Sequence, residues 1–438
     1  MSKDIVKPST LPGFLELLPQ DQILFNKIKD TIRNTYEKHG FIPIVTPLIE
    51  KSEVLLAKGG GETEKQIYRF TKGYTDMSLR FDLTVPLARF VAQHFSDLTL
   101  PFRRYHIGKV YRGEKSQRGR FREFYQCDVD IIGNGKLSVI YDAEILSIIY
   151  STFKNLGFED FTIRINNRKI LNGFFGSLNI KNTVDVLRTI DKLEKIGEKG
   201  VTAELTDLGL SKDATCKILS FIKIQGSDEE KLEALKSLDL KTEIFQEGIE
   251  ELATVIDYIR SFGVPKKNYI LDLTIARGLD YYTGTVCETF LDDYPEIGSV
   301  CSGGRYENLA EYYTTQKLPG VGISIGLTRL FYQLKEAGLL RNHAPYTLTK
   351  VLVVPMDDTC NEYSIKVANA LRESGIISEV YFEDVKIGKK LNYANKLNIP
   401  YTVLIGEEEI KSHVVSLKDM KTGSQELVTI DDAIKAVK

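Results

Sequence analysis

Two segments of this chain hold most of the residues whose types and spacing could do chemistry. From Ile275 to Thr285 it reads IARGLDYYTGT, just after an apolar run, Tyr269 to Leu273, that reads as a strand. Arg277 supplies a permanent cation with a planar fork of donors, suited to an anionic oxygen. Gly278 and Gly284 bracket the segment and let backbone approach another group closely. If the strand continues, Tyr281 and Tyr282 point to opposite faces, one into a core and one into a pocket. The plainer alternative is a sheet strand with a salt-bridged arginine and two packed tyrosines.

The second segment is cationic. Arg103, Arg104, Lys109, Arg112, Lys115, Arg118, Arg120 and Arg122 stand against a single acid, Glu114. A solvated face is the ordinary reading of such a run. Here the arginines interleave with Tyr105, Ile107, Val110 and Tyr111, so some must turn inward. The turn between Arg112 and Phe121 is rich in Lys, Gln, Ser and Gly, a composition that grips polyanions. It returns into FREFYQCDVDIIG, where strand alternation places Gln126, Asp128 and Asp130 on one face. Buried cations, acids and amides on one surface are costly unless a polar ligand meets them. A ligand carrying phosphate, an ammonium group and a ring with hydrogen-bonding nitrogens fits that demand. His106, between these cations, reads as a packed or paired core residue.

Around these segments the chain must build a frame. Its 438 residues suggest roughly three domains, and 42% hydrophobic with 27% charged residues is a globular composition. A net charge of −2 argues against wholesale attraction to nucleic acid but leaves room for a local basic patch. Five scattered cysteines, none in CxxC spacing, point to a reducing compartment and away from structural zinc. No apolar run is long enough for a signal peptide or a membrane span, so a cytoplasmic protein is expected. Residues 20–39 repeat apolar groups at helical spacing and stop at Gly40; FIPIVTP (41–47) is extended by its prolines. Gly59 to Gly61 mark a mobile loop, and residues 79–133 read as an antiparallel sheet. Residues 137–156 read as a helix and 161–165 as a strand. Helical Lys/Glu/Leu patterning fills 183–262, with Gly197, Gly200 and Gly209 as breaks, before strand texture resumes at Tyr269. Beyond a polar linker around Pro345, strands and helices alternate as a compact α/β module.

The segments resemble a known family. FRRYHIGKVYRGEKSQRGRFREF is similar to motif 2 of the class II aminoacyl-tRNA synthetases, FIPIVTPLIE to motif 1 with Pro47, and GVGISIGLTRL to motif 3 with Arg329. IARGLDYYTGT, SGGRYENL (302–309) and LRFDLTVPLAR (79–89) closely resemble signatures of the histidyl-tRNA synthetases. The resemblance spans essentially the whole chain. It implies an α/β protein: an α+β catalytic domain (1–182 and 263–341) with a mixed, mainly antiparallel sheet flanked by helices. A helical insertion (183–262) and a C-terminal α/β anticodon-binding domain (350–438) complete it.

The resemblance also implies roles. Arg112 and Arg277 act in catalysis at the α-phosphate of ATP; Glu114, Phe124 and Arg329 join them in ATP binding, with adenine between Phe124 and Arg329. Asp82, Thr84 and Gln126 hold the α-amino group of histidine. Asp130 and Tyr282 contact the imidazole, Tyr306 closes that pocket, and Tyr281 belongs to the same set, packed on the far face of its strand. Gln117, Arg118 and Arg120 touch the tRNA. ATP enters as substrate with Mg²⁺, no tightly bound protein-ligated metal is expected, and the partners are L-histidine, ATP, a histidine-specific tRNA and a second copy of the chain. Two departures stand out. The residue before the motif 3 arginine is commonly acidic and here is Thr328, and several relatives carry glutamates where this chain has Asp82 and Asp130. Relatives that regulate the first enzyme of histidine biosynthesis, or sense uncharged tRNA within a kinase, are the alternative; the intact Arg277 signature, the C-terminal module and the lack of a kinase favour catalysis.

Overall fold

The computed structural model describes residues 5–57, 62–115, 119–190, 192–238, 240, 242–275, 281–307, 310–340 and 346–438. The chain divides into two compact units, one of residues 1–15 and 28–338 and one of 16–27 and 339–438.

The strands of the larger unit are β1 (Ile42–Pro43), β2 (Ile49–Lys51), β3 (Arg69–Lys72), β4 (Thr75–Leu79), β5 (Phe102–Tyr111), β6 (Glu123–Ile132), β7 (Phe161–Asn167), β8 (Tyr269–Leu271), β9 (Tyr282–Leu291), β10 (Cys301–Tyr306) and β11 (Gly320–Gly326). Eight of them form one sheet in the order β1-β5-β6-β11-β10-β9-β7-β8, and β2-β4-β3 form a small second sheet. Only the outer pairs β1·β5 and β7·β8 are parallel; the pairs between are antiparallel. The sheet is therefore mixed and mainly antiparallel, as the resemblance implies.

Alternation sorts the two faces of β6. Cys127, Val129 and Ile131 are fully buried on one face, and the Tyr36 hydroxyl of the helix Pro19–Lys38 donates to the Cys127 carbonyl at 3.1 Å. The other face carries Phe124, Gln126, Asp128 and Asp130. Its neighbours in register are Val110, Gly108, His106 and Arg104 on β5, and Gly326, Ser324 and Gly322 on β11. The chemistry-bearing residues thus share the central surface of the sheet.

One stretch departs from the expected antiparallel sheet over 79–133: Thr84–Gln93 is a helix. Its apolar residues Leu87, Ala88 and Val91 are buried at helical spacing, a period masked in sequence by Pro86 and by the strand-like run before it. Pro86 falls in the first turn, where its missing N–H costs nothing. Asp82 stands just ahead and accepts from the Val85 N–H at 3.1 Å. A site carboxylate is thereby fixed by a helix start.

Helices Thr183–Ile190, Leu193–Asp207, Lys212–Ile222, Asp228–Ser237 and Glu243–Ser261 fill the segment read as helical. Gly197 breaks the second of these with a φ of 66°, and Gly209 ends it with a φ of 86°. Gly200 is not a break; it lies inside that helix. The last helix is tied to the strand–helix corner at Asn167: Asn167 donates to Glu251 at 2.8 Å, and Lys169 reaches Glu247 and Glu251 at 2.6 Å.

In the smaller unit β12 (Val351–Pro355), β13 (Ser378–Val380), β14 (Tyr401–Ile405), β15 (Val415–Asp419) and β16 (Gln425–Val428) form a sheet in the order β13-β12-β14-β15-β16. The first three are parallel, as the strand–helix alternation predicts; the β14-β15-β16 meander adds two antiparallel strands. β12 is buried along its whole length, the continuous apolar run expected of a covered parallel strand.

Candidate functional site

A cavity of about 550 Å³ opens over the central face of the large sheet. Its two ends differ in chemistry.

The acidic end is lined by Asp82, Asp128 and Asp130 with Gln126, Thr84, Tyr281, Tyr282 and Tyr306. Asp130 accepts from the Tyr306 hydroxyl at 3.0 Å, and its Oδ2 lies 2.6 Å from Nη2 of Arg104, a fully buried guanidinium. The floor beneath Asp130 and Tyr306 is bare because β11 places Gly320 and Gly322 there. A Cβ on Gly322 would stand 2.1 Å from Asp130 Oδ1, and one on Gly320 would stand 2.4 Å from the Tyr306 ring. Gly320 and Gly322 are thus a requirement of the pocket, since neither group could lie down over a side chain.

Burial dominates the electrostatics. It pushes Asp82 up to about 6 and Asp128 up to about 7, and it raises Asp130 too; Arg104 and, for Asp82, Arg112 oppose it. His106 faces Asp128 across β5 but is held neutral, since burial and then Arg104 and Arg80 lower it to about 3. Its Nε2 lies 3.5 Å from Arg80 Nη1 and its exposure is 1%, so it is the core residue the sequence suggests. Among the described residues, only Asp130 of the three acids makes a close ion pair, with Arg104, which leaves Asp82 and Asp128 facing the cavity as a setting for a cationic ligand.

The other end is cationic and aromatic. Arg112 donates from Nε to the Phe81 carbonyl at 3.0 Å, and its guanidinium carbon lies 5.1 Å from the Phe124 ring centre. Glu114, Arg120 and Arg329 line the same end. Glu114 forms an ion pair with Arg120 across 3.6 Å, and the arginine stays half exposed. Arg329 is oriented by the Ile297 carbonyl, to which Nη2 donates at 3.0 Å. Thr328, the departure noted in motif 3, instead accepts the Tyr125 N–H at 2.8 Å and so pins the strand start beside Phe124. A neutral hydroxyl does positioning work there.

The structure brings Asp82, Thr84, Arg112, Glu114, Arg120, Phe124, Gln126, Asp130, Tyr281, Tyr282, Tyr306 and Arg329 to one cavity. Arg277, Gln117, Arg118 and the Gly59–Gly61 loop lie outside the described residues. One expectation fails: Tyr281 does not pack on the far face. β9 begins only at Tyr282, so strand alternation does not apply to the pair. The two rings meet edge to face at 4.9 Å, and Tyr281 also meets Tyr306 at 6.1 Å on the cavity side. The sequence placed Asp128 on the ligand-facing surface with Gln126 and Asp130 but gave it no contact of its own, and it gave no role to Arg104 or Ser324. The Asp-x-Asp spacing in β6 was the available signal.

An eight-stranded, mainly antiparallel sheet presenting an arginine–phenylalanine shelf beside an acidic pocket is the catalytic architecture of the class II aminoacyl-tRNA synthetases. Comparison narrows the class. Residues 13–330 match the family model for histidyl-tRNA synthetase and residues 350–438 that for an anticodon binding domain. The chain is 68% identical to a histidine–tRNA ligase of Clostridium tetani over all of both sequences, and 48% identical to one of Finegoldia magna over 99% of this chain and 100% of the relative. The crystal structure of histidyl-tRNA synthetase from Nostoc sp. PCC 7120 superposes with a TM-score of 0.90 at 45% identity, covering 99% of this chain and 100% of that one. A Bacillus halodurans structure, described as an ATP phosphoribosyltransferase regulatory subunit/histidyl-tRNA synthetase, shares the fold at TM-score 0.73 and 21% identity over 88% of this chain and 97% of its own. The chain belongs to the histidyl-tRNA synthetase family.

Proposed function

We propose that this cavity activates L-histidine with ATP and passes the histidyl group to the 3′ end of its tRNA. The observation that carries this reading is the joining of an acidic, tyrosine-walled pocket to an arginine–aromatic shelf in one cavity. The acidic end suits an ammonium and an imidazole; the other end suits a purine and phosphates.

The amino acid's carboxylate oxygen attacks the α-phosphorus of ATP in line. The new P–O bond forms as the bond to the β-phosphate bridging oxygen breaks, and pyrophosphate leaves. A ribose hydroxyl of the tRNA then attacks the carbonyl carbon, and AMP departs. No protein nucleophile is needed. Arg112, with Arg277 from the family signature, stabilises the charge that gathers on the non-bridging oxygens, and the pocket holds the two reactants at attack distance. Phe124 and Arg329 are the walls for adenine. Asp130, Tyr282 and Tyr306 face the imidazole, and Asp82 and Gln126 the ammonium, beside Thr84 and Tyr281. Mg²⁺ enters with ATP and shields its phosphates; among the described residues no group of three or more His, Cys, Asp or Glu side chains is spaced to hold a metal.

Residues 1–182 with 263–341 are read as the catalytic domain, 183–262 as an insertion toward the tRNA, and 350–438 as the anticodon-binding domain. Arg120, with Gln117 and Arg118, is read as a tRNA contact. Homodimerisation is supported by exposed apolar residues around motif 1, Ile42, Val45, Leu48 and Ile49; sedimentation at twice the chain mass is expected, and a monomer at assay concentration refutes it. Cytoplasmic residence is supported by five cysteines that all stand free. The function is tested by charging tRNA with labelled histidine, which requires ATP and yields one AMP per histidine transferred; charging with another amino acid overturns it.

A further inference from the structure

An ammonium group brings three N–H donors and needs three acceptors. Among the cavity-lining residues, the buried side-chain oxygens with no hydrogen-bond partner among the described residues are Asp82 Oδ2, Gln126 Oε1 and Asp128 Oδ1. Asp130 is already engaged, by the Tyr306 hydroxyl and by Arg104. We propose that Asp128 is a direct ligand of the amino acid's α-ammonium group, completing a three-acceptor cradle with Asp82 and Gln126. This rests on reading the cavity as the amino-acid pocket.

The local bonding prepares that role. Ser324, opposite Asp128 on β11, accepts from Gln126 Nε2 at 2.9 Å. That bond fixes the Gln126 amide and leaves its carbonyl oxygen without a partner among the described residues. His106, across the strand, stays neutral and supplies no counter-charge. Arg104 spends its close contact on Asp130. Asp128 is 2% exposed, so its orphan oxygen is costly to keep unless a cation arrives to meet it. Burial and the neighbouring acids Asp130 and Asp82 keep it protonated part of the time near neutrality, and an arriving ammonium displaces that proton.

The test compares two probes on the full-length protein, L-histidine and 3-(imidazol-4-yl)propionate, which keeps the ring and carboxylate but lacks the ammonium. Binding is measured by calorimetry on the wild type and on Asp128→Asn. A lost charge-assisted hydrogen bond predicts about 10- to 100-fold weaker histidine binding with the deamino analogue unchanged. Asp128→Ser repeats the comparison in case the amide variant does not fold, and unchanged ATP binding reports an intact cavity. Equal weakening for both probes, or none for histidine, overturns the proposal. If the wild type fails to bind histidine at all, it is the reading of the cavity that falls.

Discussion

Gly322→Ala is the most informative perturbation of the floor under the pocket. The added Cβ would stand 2.1 Å from Asp130 Oδ1, 2.4 Å from its Cγ and 2.7 Å from the Val129 carbonyl oxygen. β11 is an inner strand paired on both edges, to β6 and β10, so it cannot recede. The carboxylate must lift instead, straining its contacts with Tyr306 and Arg104. Overpacking of this kind costs about 1–3 kcal/mol, which lowers the melting temperature by a few degrees. A displaced hydrogen bond from a charged acceptor costs about 1.5–3 kcal/mol, or roughly 10- to 100-fold in histidine affinity. Histidine-dependent ATP–pyrophosphate exchange should show KM for histidine raised by that factor and KM for ATP nearly unchanged, because Arg112, Phe124 and Arg329 lie at the other end. Equal rises in both constants, or an unchanged KM for histidine, would refute the placement of Asp130 over a bare floor.

Arg112→Ala should lower the rate of adenylate formation by about 10²- to 10³-fold with little change in histidine binding, as loss of one transition-state donor does; single-turnover kinetics separate the two. Apo-protein stability should carry a signature of Asp128, raised to about 7 in the fold. Between the ordinary carboxylate range and that value the folded chain holds a proton the unfolded chain has released, so this contribution is lost as pH rises from about 4 to about 7. Asp128→Asn lacks the proton, so its stability relative to wild type should climb over that window, by a few kcal/mol at most; parallel melting curves from pH 5 to 8 would contradict this. His106 contributes an opposite slope in both proteins and cancels in the difference. Removing residues from 346 onward should depress tRNA charging more than adenylate formation; equal losses would mean that the last module is structural support for the first step.

Much of the site was legible because strand alternation is strict. Placing Gln126, Asp128 and Asp130 on one face needed only the β period, and the register confirms it. The two parallel pairs at the sheet margins were not legible, since β1 and β8 are too short to show a pattern. The helix Thr84–Gln93 was hidden by the strand-like composition just before it, and tertiary burial of Leu87 and Val91 decides it. Tyr281 was misplaced because alternation was extended one residue past the strand's start. Arg104 looked like one cation among eight; only the fold shows that it is the one fully buried against Asp130. The Thr328 bond to Tyr125 joins residues 203 positions apart, a contact no local pattern encodes.

The central claim is that the acidic, tyrosine-walled end of the cavity selects histidine for adenylation. ATP–pyrophosphate exchange measured separately with each of the proteinogenic amino acids tests it most directly. Exchange with L-histidine alone, with the rest at background, is the predicted result. Exchange driven by another amino acid, or none with histidine, would contradict the account.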